Sequence, residues 1–103
     1  MIAIKVRDYF QRCGVREKGK EFYRKVLEDV PEEESDIQFD FDGVTFVSAS
    51  FLEESIFRLI DNYNVSIAER TKSIEEKAER IIDWKKLNVR LTHEKNILRI
   101  MNL

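Results

Sequence analysis

The chain has 103 residues, 43% hydrophobic and 37% charged, with a formal net charge of −2. That is enough chain and apolar content for one modest core, so a single domain over 1–103 is expected, and the charge balance excludes a general attraction to nucleic acid or anionic membrane. The one cysteine, Cys13, excludes an intrachain disulfide, while an N-terminal apolar run too short for a signal peptide and the lack of any stretch near the ~18 apolar residues of a span lead us to expect a cytoplasmic protein.

Ile2, Ile4 and Val6 alternate with Ala3 and Lys5, the two-residue period of a strand. From Asp8 to Val15 the pattern allows one helical turn around Tyr9 and Phe10 before Gly14 breaks it. A first long helix is expected from Glu17 to the residue before Pro31, because a residue preceding proline is driven out of the helical region. Its expected buried stripe is Phe22, Tyr23, Val26, Leu27 and Val30. The acidic run Glu32, Glu33, Glu34 and Asp36 reads as a solvated loop.

The most informative stretch is Ile37 to Ile60. Ile37, Phe39 and Phe41 alternate with Gln38, Asp40 and Asp42, which predicts a strand, and Asp42-Gly43 is a turn signal. Phe51, Leu52, Ile56, Phe57, Leu59, Ile60 and Tyr63 then recur at three- and four-residue steps, predicting a helix over 50–62. Ser50 and Glu53 have the spacing of a capping box at its start. Ser66 with Glu69 and Ser73 with Glu76 repeat that spacing, and Ile67, Ile74, Ala78, Ile81, Ile82 and Leu87 supply an apolar stripe, so a long charged helix over 67–87 is expected, with a short strand at 65–68 as the competing reading. Val89 and Leu91 alternate within a strand at 88–92, and Ile97, Leu98 and Met101 suggest a closing helix over 93–101, a terminal strand being the alternative. Strands alternating with helices predict an α/β fold: a small, mostly parallel sheet of at least three strands flanked by helices in two or three layers.

The residues Asp40-Phe41-Asp42-Gly43-Val44, followed by Ser48-Ala49-Ser50-Phe51-Leu52-Glu53-Glu54, resemble the STAS-like domain family of unknown function, and Arg16 and Gly19 look like that family's Arg-x-x-Gly step before its first helix. The resemblance implies a fold akin to the STAS domains of anti-sigma-factor antagonists, which bind a kinase-like ATPase partner and are switched by serine phosphorylation. Relative to those antagonists, Ser48 stands where an aspartate would be, Ala49 where the acceptor serine would be, and Phe51 replaces a glycine. The region from Asn64 to Leu87 looks like a helical insertion relative to shorter relatives.

Candidate chemistry follows from the same residues. Ser48 and Ser50, at a strand-to-helix junction beside Glu53 and Glu54, are candidate interaction or phosphoacceptor residues, with Ser50 also explained as a helix cap. Arg16, Lys18 and Lys20 at the start of the first helix oppose its dipole and are candidate anion-binding residues. Asp40 and Asp42, two apart on a strand, with Glu53 and Glu54, could hold a divalent cation, although no histidine joins them and no calcium-loop spacing is present. No nucleophile set, zinc set or glycine-rich phosphate loop exists in the sequence, and Trp84 among Asp83, Lys85 and Lys86 is expected to be partly exposed. The expected function is a non-enzymatic, cofactor-free regulatory interaction module with a protein partner and room for homo-oligomers. The alternatives are a nucleic-acid-binding protein using Arg16, Lys18, Lys20, Arg24 and Lys25 with Lys85, Lys86 and Arg90, and a metal-dependent enzyme using the carboxylates.

Overall fold

A computed structural model describes residues 1–68 and 72–103. The chain runs β1 (Ile2–Lys5), a short 3-10 turn (Val6–Asp8), β2 (Arg12–Cys13), α1 (Arg16–Asp29), β3 (Asp36–Asp40), β4 (Phe46–Val47), α2 (Ala49–Glu54), α3 (Ile56–Leu59), β5 (Asn64–Ala68), α4 (Lys72–Lys85), β6 (Val89–Glu94) and β7 (Ile97–Asn102). Among the described residues the main sheet has the order β1-β3-β5-β7-β6, and β2 and β4 form a separate parallel pair. β1, β3 and β5 are mutually parallel, β7 is antiparallel to β5, and β6 is antiparallel to β7. Four of the five strands therefore point one way, which gives the mostly parallel α/β sheet expected.

This order decides the layers. Each crossover, from β1 to β3, from β3 to β5 and from β5 to β6, moves in the same direction across the sheet, so right-handed connections place α1, α2, α3 and α4 on one face. The register agrees. Ile2, Ile37, Val65, Ile100 and Leu91 make one row across the sheet, and Ile4, Phe39, Ile67, Leu98 and His93 the next row on the same face. These residues, apart from His93 at the edge, are buried or half-buried beneath the helices. The intervening row, Ala3, Gln38, Ser66, Arg99 and Thr92, is small or polar and lies on the uncovered face. An aromatic group fills the centre: Phe22 of α1 stacks on Phe51 of α2 at 5.7 Å between centroids, Phe10 stands edge-on to both, and Phe39 stands edge-on to Phe22.

Three expected helices differ. The helix expected over 50–62 starts after Ser48, not Ser50, and breaks at Ser55, whose backbone leaves the helical region (φ −118°, ψ −83°). The buried Ser55 hydroxyl donates 2.6 Å to the carbonyl of Phe51, bonding back four residues and ending the first segment. The stretch 64–87, expected as a helical insertion, is helical among its described residues only over Lys72–Lys85. Its first part is β5, in the middle of the sheet between β3 and β7, where Val65 and Ile67 face the helices and Ser66 the opposite side. Ser66 is thus a strand residue, its expected partner Glu69 lies outside the described residues, and Ser73 sits inside α4 rather than before it. The expected closing helix over 93–101 is instead the β6–β7 hairpin, in which Leu98 and Ile100 alternate inward and Lys95 takes the positive φ of the turn, +56°. Along α1, Phe22, Val26 and Val30 are buried as expected, but Leu27 is 38% exposed and Tyr23 is half-buried with the Arg58 guanidinium 3.9 Å from its ring centre.

Candidate functional site

The junction that carries the candidate residues begins at the Asp42-Gly43 turn. Val44 N–H donates 3.1 Å to the carbonyl of Phe41, and Gly43 sits at φ +82°, a conformation that suits glycine. Asp40 Oδ1 accepts the amide of Asp42 at 2.8 Å, and the exposed Asp42 lies 4.0 Å from Arg7. The chain then pairs with β2 through β4 and enters α2. Ser48 N–H donates to Cys13 O, and Ser48 Oγ accepts the N–H of Phe51 at 3.0 Å, so Ser48 is the N-cap. Ser50 lies one residue into the helix, half-buried, and its hydroxyl makes no hydrogen bond among the described residues. The capping role expected of Ser50 therefore belongs to Ser48.

Arg16, Glu53 and Glu54 are brought together. Arg16 Nη1 donates to Glu54 Oε2 at 2.6 Å and lies 3.6 Å from Glu53 Oε1, which Lys85 Nζ approaches to 3.0 Å from the end of α4. Burial pushes the Glu53 carboxyl up, but the Lys85 ammonium and the Arg16 guanidinium outweigh it and hold the group below its ordinary range. The hydrogen bond to Glu54 holds the Arg16 guanidinium above its usual value. Three helices are joined here: α1 through Arg16, α2 through Glu53 and Glu54, and α4 through Lys85.

Lys18 and Lys20 do not join Arg16 around a common point. Lys18 reaches the carbonyl of Arg12 at 3.4 Å and lies over the Phe10 ring, while Lys20 pairs with Glu17 at 3.5 Å. Arg24 faces Glu28 and Lys25 faces Glu21 in the same helix. Most of the basic residues in the nucleic-acid reading thus stand beside a carboxylate, which cancels the field such binding relies on. Of the four candidate carboxylates, Asp40 accepts the Asp42 amide, Asp42 lies beside Arg7, and Glu53 and Glu54 share Arg16, and among the described residues no three His, Cys, Asp or Glu side chains gather as a metal-holding group. Cys13 is fully buried and its thiol is pushed up to about 11 by that burial, against a small opposing pull from Lys18.

Sequence reasoning expected Trp84 to be partly exposed, as it is, but did not find the exposed Phe46 and Val15. Phe46 is 44% exposed, with the Arg12 guanidinium 5.7 Å from its ring centre, and Val15 and Trp84 are 53% and 75% exposed. Val15 adjoins Arg16 and Trp84 adjoins Lys85, so each flanks an arm of the ion-pair group.

A family model described as a STAS-like domain of unknown function matches residues 18–89. The chain belongs to this family. The matched span of this STAS-like domain holds Gly19, Ser48, Ser50, Glu53, Glu54 and Lys85, and it runs on through β5 and α4. No curated protein and no solved structure matches the chain. No helix among the described residues is long and apolar enough to cross a membrane.

Proposed function

We propose that this STAS-like domain is a cytoplasmic, non-catalytic regulatory module that binds a protein partner through the surface from Gly43 to Ser50 and the first turn of α2. The observation that carries this reading is the exposure of Phe46 and Val15 beside that turn and of Trp84 at the end of α4, next to the Lys85 that reaches Glu53: large apolar side chains at a polar-rimmed junction are typical anchors of a protein interface. Ser50 is the switch residue of the proposal. Its hydroxyl makes no hydrogen bond among the described residues, and a phosphate there would add about −1.5 to −2 charges near Glu53 and Glu54, repelling an acidic partner or attracting a basic one. A kinase-like ATPase is the partner class that the STAS-like family resemblance favours.

The test is a pull-down from the native cell with wild type, Ser50→Glu and a Phe46→Ala/Trp84→Ala double variant, each first shown to be folded by circular dichroism. The proposal expects a partner that wild type retains, that the double variant loses, and whose recovery changes with Ser50→Glu. Equal recovery by all three proteins would remove this surface from the interaction.

A further inference from the structure

We propose that β6 is the pairing edge of a symmetric dimer, the occupant being a second copy of this chain joined antiparallel about Thr92. β6 closes one side of the main sheet, with no strand beyond it among the described residues. It spans six residues, Val89–Glu94, without proline or glycine, so its outer backbone groups are a template for another strand.

The hydrogen-bond parity identifies those groups. Leu103 N–H donates to Asn88 O at 3.0 Å, and the register carries that bonded pairing to every second residue, so Arg90, Thr92 and Glu94 bond inward to β7. Val89, Leu91 and His93 then point their N–H and C=O groups outward. An antiparallel second copy can pair only outward residues with outward residues, which leaves a few permitted registers. The one centred on Thr92 sets Leu91 against the second copy's His93 as a hydrogen-bonded pair, and Arg90 against the second copy's Glu94.

Charge selects this register. Arg90 and Glu94 are exposed, lie on the same uncovered face, and are equally spaced about Thr92, so the two-fold axis makes two opposite-charge pairs at the close, non-hydrogen-bonded positions. Registers shifted by two residues either way set Arg90 or Glu94 against Thr92 instead. Within the chain Glu94 lies 3.5 Å from Arg99 through one carboxylate oxygen, leaving the other to accept a guanidinium. On the helix side the half-buried Leu91 gains cover from the second copy. The opposite edge, β1, has only Lys5 as a charged residue and offers no such self-complementarity. The result is one continuous sheet across both copies, with the surface around Ser50 left open.

The experiment is sedimentation equilibrium over a concentration series on the full chain, with Arg90→Glu, with Glu94→Arg, and with the two variants mixed in equal amounts, thermal melts confirming that each is folded. Wild type is expected at twice the chain mass, falling to the chain mass on dilution. Either variant alone replaces two attractive pairs with two repulsive ones and weakens the dimer at least about tenfold. The mixture restores it, because the edge strand that Arg90→Glu makes acidic at both positions then meets the one that Glu94→Arg makes basic at both. Wild type at the chain mass at every concentration, variants that dimerise as wild type does, a mixture that stays monomeric, or growth beyond the dimer would each overturn the proposal.

Discussion

Gly19→Ala sets two effects of opposite sign against each other. Gly19 closes the first turn of α1, buried against α2. Alanine is the better helix former by about 1 kcal/mol, so propensity alone predicts a more stable protein. A Cβ at this position, however, would lie 2.8 Å from the Phe51 carbonyl oxygen, 3.1 Å from Phe51 Cα and 3.0 Å from Glu54 Cβ. The closest of these is backbone, and that carbonyl already accepts the Ser55 hydroxyl, so α1 and α2 must separate to admit the methyl group. Overpacking of this kind costs about 1–3 kcal/mol, and contact with backbone belongs at the upper end. The expected net loss is about 1–2 kcal/mol, or a fall of about 5–15 °C in Tm for a domain of this size. Thermal and urea unfolding followed by circular dichroism measures it. A variant melting at or above the wild-type temperature would show that propensity wins and that the α1–α2 contact is not as close as argued.

Ser48→Ala should lose about 1 kcal/mol in urea unfolding through loss of the cap, while Ser50→Ala stays within about 0.5 kcal/mol of wild type; the reverse ranking would contradict the placement of the cap. Because Glu53 has its carboxyl held down in the folded state, it adds stability above its unfolded value of about 4.3, and that stability is lost as pH falls through the lower folded value. Glu53→Gln should therefore be less stable than wild type at neutral pH and show a shallower acid decline; parallel declines would refute the assignment.

The sequence was most legible where the local pattern and the tertiary demand coincide. Ile37, Phe39 and Phe41 alternate because one side of β3 faces the helices, and Asp42-Gly43 marks its turn because a positive φ is needed there. The misreadings have a common cause. Val65 and Ile67 lie two apart, and so do Leu98 and Ile100, as their strands require, but neighbouring apolar residues such as Ile97 and Met101 also fit a helical step, and only sheet pairing decides between the periods. The break at Ser55 left no proline or glycine to announce it, since the side-chain bond to Phe51 O forms only within the folded turn. At the candidate site, the acidic pair and Arg16 were legible as charges, but their union was not. They are 38 residues apart for Arg16 and Glu54, and it is the close approach at Gly19 that brings them together.

Phe51 links these observations, and it distinguishes the two serines physically. Its N–H is bound by Ser48 Oγ, its carbonyl by Ser55 Oγ and closely approached by Gly19, and its ring stacks on Phe22 in the core. A change that removes the Ser48 hydroxyl from its acceptor position therefore acts on a residue that α1 and the core hold in place, and it registers as altered stability of α2. A change at Ser50 meets no such linkage and alters only the local field and shape. In the interaction module proposed above, a surface that must switch without unfolding its own helix would be better served by the second, so that proposal takes Ser50 as its point of control and Ser48 as the support that caps the junction.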